Sequence, residues 1–298
     1  MKKGLLMAAL LLGVGTAQAQ LTSKKGEAYL PEAGDWSFGV DATPFLNYMG
    51  NFLSSAGNSA PTQQFLNSNQ TIIGKYFKTD KMAYRGILRI GSNSNSWTAN
   101  IAQHGAPDPT FPVVPATVED TYKEKGMNIG LGGGLEWRRG STRLQGYYGA
   151  DLMVVYSSSG RSYEYGNALN DSTSVSSIST DWSEDGLLED NIVSDTYGNT
   201  ARVTDVKDGS IFGLTLRGFG GVEYFLVPKI SIAGEFGWGL TFATIGASST
   251  DQESVNFNGA NEIGSQTIDG GKGGRFSLDT DRNLTGTASG ALRINFHF

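Results

Sequence analysis

Charged side chains set into alternating runs are the chemistry this sequence offers first. Asp41, Lys75, Arg85, Arg89, Glu136, Arg143, Asp151, Arg217, Glu223, Glu235 and Arg293 each stand on the polar parity of a run whose other parity is apolar. Six are cationic and five anionic. Near-balance matters, because an unpaired charge in a narrow, dry space costs several kcal/mol. The chemistry expected is therefore an interdigitated ion-pair network. Catalytic chemistry has little to work with. The chain has no Cys and only two His, His104 and His297. Thiolate zinc sites, disulfides and Cys nucleophiles are excluded, and a Ser/His/acid triad or His-rich metal centre is disfavoured. No enzyme activity, cofactor or resident metal is expected.

The elements that must position these charges read as strands. Of 298 residues, 41 are Gly and 11% are aromatic, which favours strands and turns over a helical core. Near the end, Leu284, Gly286, Ala288, Gly290, Leu292, Ile294, Phe296 and Phe298 share one parity, against Thr285, Thr287, Ser289, Ala291, Arg293, Asn295 and His297. The same period of two recurs along the chain. It predicts eight strands at about 36–48, 71–78, 82–91, 127–137, 143–156, 210–224, 230–243 and 284–298. Ile87 and Phe219 break the pattern. The connections 79–81, 138–142 and 225–229 are short; 49–70, 92–126, 157–209 and 244–283 are long and polar. That alternation predicts an all-β fold, an eight-stranded antiparallel up-and-down transmembrane β-barrel with short periplasmic turns and four long extracellular loops. A soluble sandwich also alternates, but these strands are long and no helix is available to cover their apolar face. Inward Gly130, Gly132, Gly134, Gly149, Gly237 and Gly239 would make room for long Arg and Glu side chains. Eight strands leave a lumen that side chains can fill, so no open pore is expected.

The first residues read as an address. Lys2 and Lys3 precede the apolar run Gly4–Gly15, and Ala17-Gln18-Ala19 fits a cleavage site. Residues 1–19 are predicted to be a secretory signal peptide, 20–35 a short periplasmic segment and 36–298 the barrel. Trp36, Tyr76, Tyr84, Trp137, Tyr148, Tyr156, Tyr224, Trp238, Phe296 and Phe298 lie on the apolar parity and are expected at the membrane interface. The net charge of -6 argues against nucleic acid as a partner.

With the leader, eight alternating strands and the ending Leu292-Arg293-Ile294-Asn295-Phe296-His297-Phe298 in place, the chain resembles the bacterial outer-membrane β-barrel superfamily of OmpA/OmpX type. The resemblance implies outer-membrane location, lipid as surroundings and recognition of the terminal Phe298 by the barrel assembly machinery. The sequence ends at the last strand, so the peptidoglycan-binding domain of some relatives is not expected. The function expected is a plugged, non-enzymatic anchor for surface loops, with a structural, adhesive or partner-binding role. An accessory subunit of a transport or secretion complex, or a narrow channel, stays open as an alternative. Loop 157–209 holds ten acids and three bases. Asp181–Asp190 is a cation-site candidate, against the plainer reading of a solvated, mobile loop. Trp97, Phe111 and Tyr122 on a Pro-rich loop are candidates for docking a protein or glycan, against self-packing over the barrel mouth.

Overall fold

The computed structural model describes residues 21–54, 71–170, 173–183, 190–255, 262–280 and 291–298. The expected signal peptide, residues 284–290 of the last expected strand, and Glu184, Asp185 and Glu189 lie outside them. The fold is all-β, with 13 strands in one antiparallel sheet. The wall strands are β1 (Trp36–Asp41), β2 (Ile72–Thr79), β3 (Met82–Ala102), β4 (Thr117–Arg139), β5 (Leu144–Glu164), β8 (Ile211–Val227), β9 (Ile230–Ile245) and β13 (Ala291–His297). Each pairs antiparallel with the next in that order, and β13 pairs back onto β1. Short links join the strands at one end, here the turn end. Lys229 takes a positive φ of 65° in the tight β8–β9 link. No helix among the described residues is long and apolar enough to cross a membrane.

This is not an evenly closed eight-stranded barrel. Five strands lie outside the cycle: β6 (Ile192–Ser194), β7 (Thr200–Lys207), β10 (Ser249–Val255), β11 (Ile263–Asp269) and β12 (Gly273–Thr280). The wall strands are also unequal. β3 and β4 run 21 and 23 residues, while β1 and β13 have 6 and 7. The strand expected over 36–48 stops at Asp41, and helix α1 (Thr43–Ser54) follows. Pro44 has no amide for the ladder and fits the first turn of a helix. The β9 edge is shared: β13 takes Ile230–Glu235 and β12 takes Trp238–Ile245.

At the other end, three expected long loops prove to be folded. Residues 92–126 are mostly the upward continuation of the β3–β4 ladder, paired from Ser92↔Met127 to Ala102↔Thr117. Above Ser157, β5 changes partner from β8 to β7. β6, β7, β10, β11 and the one-turn helix α2 (Val175–Ile178) complete a cap. The mobile-loop reading of 157–209 is therefore corrected for its described residues. The cap has apolar cores of ordinary kind. Tyr122, Tyr163, Trp182 and Val203 form one, with Trp97 packed against it; Leu169, Val175, Ile178 and Val255 form another.

Candidate functional site

Because β-strand side chains alternate, each wall strand sends every second residue into the space the cycle encloses. Even-numbered Glu136 and Arg138 on β4 point in, while Trp137 points out. The sequence-expected charges Lys75, Arg85, Glu136, Asp151, Arg217, Glu223, Glu235 and Arg293 meet there as one network.

The network has two carboxylate nodes. Toward the turn end, Glu136 takes Lys75 at 2.8 Å, Arg85 at 3.2 Å and Arg138 at 3.0 Å. Arg138 also donates to Glu223. Glu223 further accepts from Ser231 and from Asn295 at 2.8 Å, with His297 Nε2 at 3.2 Å. Farther in, Glu235 takes Arg85 at 2.8 Å, Arg217 at 2.8 Å and Arg293 at 2.9 Å. Asp151 takes Arg85 at 3.3 Å and Arg217 at 3.4 Å. Arg85 thus joins both nodes. Aromatic faces fill between the cations: Arg85 and Arg217 lie 3.9 and 5.5 Å from the Phe219 ring, and Lys75 lies 5.0 Å from Tyr147. This explains Phe219, whose place on the inward parity is a cation–π seat. Ile87 is also inward, in an apolar layer with Ile73, Met153 and Val155.

Small residues are required at particular points. A Cβ on Gly134 would fall 2.1 Å from Asp151 Oδ1, and one on Gly237 2.7 Å from Arg217 Nε. The room made by inward glycine is real at both.

Some expected members lie elsewhere. Arg143 is not part of the network. Its guanidinium bonds the carbonyls of Phe225 and Leu226 at the turn end and lies over Tyr29 at 4.2 Å and Tyr224 at 5.3 Å. It begins β5 beside the turn, one residue outside the strand proper, too near the end to reach the nodes. Arg89 lies one layer beyond the apolar cluster, with Nε donating to Asn128 at 3.0 Å. Asp41 is half-buried, opposite Arg293 in register. Arg138 was missed because residues 138–142 read as a turn, although it continues the inward parity of Gly134 and Glu136.

Ser231, His297 and Glu223 bring three catalytic residue types together, but not as a relay. One nitrogen, Nε2, faces both the Ser231 hydroxyl at 3.1 Å and Glu223 at 3.2 Å. A relay needs the two ring nitrogens to serve different partners. Ser231 donates to the carboxylate instead.

The outer face of the wall is the inverse of this interior. Leu131, Leu152 and Trp238 are 60%, 50% and 56% exposed, and Leu214, Leu216, Val222 and Phe242 are exposed beside them. Trp36, Tyr76, Tyr84, Trp137, Tyr148, Phe296 and Phe298 ring the turn end of this face, with Trp36 against Tyr76 and Trp137 against Tyr148. Tyr156 lies at the cap end, its hydroxyl donating to Ser210 at 3.4 Å. Two expected interface aromatics differ. Trp238 sits at mid-height, opposite Gly218 and thus level with Ala150. Tyr224 is half-buried under Arg143. Phe298 exchanges backbone hydrogen bonds with Trp36, at 2.8 and 2.9 Å.

The cap holds its own polar network. Asp120, fully buried, accepts from the amides of Gly166 and Thr180. Arg202 reaches Glu253, the Asn167 carbonyl and Ser179. Burial pushes the Tyr165 phenol up, against the pull of Asn191 and Arg202. Asp181 accepts from Ser183 in a local turn. Among the described residues no three His, Cys, Asp or Glu side chains converge as metal ligands. Phe111 is 95% exposed, with Val113 and Val114 beside it, so this tip does not pack on itself; Trp97 and Tyr122 are stacked within the cap.

No protein-family model matches this chain, and no curated protein does either.

Proposed function

We propose that the chain is an outer-membrane β-barrel whose eight-stranded wall spans lipid, with the ionic interior as its plug and the folded cap presented outside. The observation that carries this reading is the inverted distribution of side chains in the wall: large apolar residues outward, a buried ionic network inward. Water outside would leave a broad apolar surface unpaid for by any burial; hydrocarbon removes that cost. The dimensions agree. From Leu144 to Tyr156 the outward parity of β5 covers about 40 Å along the strand, about 30 Å at a tilt of ~40°, which matches a hydrocarbon core.

Its role in this reading is that of a non-enzymatic anchor holding a rigid cap at the cell surface. The residues at work are the network of Lys75, Arg85, Glu136, Arg138, Asp151, Arg217, Glu223, Glu235 and Arg293, which replaces an apolar core. The deciding experiment is refolding of residues 20–298 into phosphatidylcholine vesicles. A heat-modifiable electrophoretic shift with protease-protected wall strands is expected. A chain that stays monomeric and folded in buffer without detergent overturns the proposal. In planar bilayers the plugged interior should pass little current; large, stable single-channel steps would replace the anchor by a channel.

A further inference from the structure

We propose that the N-terminal segment Leu21–Asp35 is a strap closing the turn end of the interior, with Arg143 and Tyr29 as its latch. In the strand cycle β5 lies four steps from β1 in either direction, so the two are opposite one another. The segment leaves β1 at its root and reaches the start of β5. Its root is fixed three ways: Gly34 N donates to Phe77 O at 2.7 Å, Lys229 pairs with Asp35 at 2.7 Å, and Ala33 N donates to Asp80 Oδ1 at 3.0 Å. Pro31 is buried in the middle of the crossing. At the far side the Tyr29 ring lies 4.2 Å from the Arg143 guanidinium. That guanidinium is itself aimed by the Phe225 and Leu226 carbonyls. The end of the strap is a small folded loop, with Thr22 bridged to Ala28 and Tyr29 N donating to Leu21 O at 3.0 Å.

This gives Arg143 the role it lacks in the ionic network. It also gives the interior a second closure, separate from the plug. The latch is one cation–π contact at a wet site, whereas the root carries several hydrogen bonds and an ion pair. The strap therefore opens from the Tyr29 side and stays attached at Asp35. The inference rests on the reading above only in treating the turn end as a mouth that faces water.

The chain has no cysteine, so a single introduced thiol reports access. Ser37 is a suitable place: it is buried beside the strap root, opposite His297 and Lys75. The Ser37→Cys protein is placed in phosphatidylcholine nanodiscs, open at both faces, and reacted with a water-soluble maleimide. Four chains are compared: Ser37→Cys alone, and with Tyr29→Ala, with Tyr29→Phe, or with residues 21–33 deleted. Slow labelling is expected for the first and for Tyr29→Phe, and labelling at least tenfold faster for Tyr29→Ala and the deletion. Equal rates in all four, or fast labelling of the first, overturn the strap. A chain that refuses the nanodisc counts against the membrane reading instead, and the same series in detergent still decides the strap.

Discussion

The wall and the cap share the strands β3, β4 and β5 under opposite rules. On β4 the even-numbered residues face inward along the whole length. In the cap that face carries Tyr122, 2% exposed within an aromatic cluster; in the wall it carries Glu136 and Arg138, buried among ions. The odd face carries exposed Lys123 above and exposed Leu131 and Trp137 below. Strand direction and parity do not change. What changes is which kind of residue is sent in. Side-chain chemistry therefore distinguishes the two stretches, with a charged outer face on the cap and an apolar one on the wall, while the backbone pattern reports only the sheet.

The comparison is broken most severely at Arg85. Arg85→Ala leaves Glu136, Asp151 and Glu235 without a shared cation, and losing one partner of a buried pair costs about 3–5 kcal/mol. Loss of the heat-modifiable form is expected, with no gain from salt. Next comes the outer face: Leu131→Arg, Leu152→Arg or Leu214→Arg should each cost ~2–4 kcal/mol near mid-membrane. Refolding yield in vesicles measures it, and normal yield for all three would mean that this face does not touch lipid. The cap should respond to acid. Burial opposes ionisation of Asp195, but hydrogen bonds from Ser254, Asn199 and Tyr197 outweigh it and hold its carboxyl below the usual aspartate range. A lowered carboxyl contributes stability above its unfolded value and loses it as pH falls through its folded one. Protease cleavage within 190–207 should therefore rise below pH ~4, and Asp195→Asn should flatten that rise. The smallest effect belongs to Lys123→Ala. Its pair with Glu164 is exposed, so ~0–1 kcal/mol is expected and cap proteolysis should not change.

Much of the wall was legible because an apolar outer face and an ionic interior impose a strict period of two. Eight of the strands begin or run where alternation placed them, although Pro44 cut the first short. The ionic nodes were legible for the same reason. Arg138 was hidden by its nearness to a turn, and Arg143 was misassigned because parity gives a side but not a height. Heights come from register, which also moved Trp238 to the middle of the wall. The cap strands were illegible for a different reason. β7 and β10 pair across a register shift at Asp251/Gln252, which breaks the parity that a reader follows. β7 and β10 also have short local partners in β6 and β11, but these stretches are polar, so no apolar parity marks them as strands.

The β3–β4 ladder runs without a break from Met82↔Trp137 at the turn end to Ala102↔Thr117 at the top of the cap. Its bonds lie across the long axis of the molecule. A tug on the hairpin tip along that axis draws β3 and β4 together and is carried in shear by the bonds that hold them to β2 and β5, so none is peeled open alone. A load on the outermost hairpin therefore reaches the neighbouring wall strands along their whole paired length, the direction in which a sheet is hardest to part.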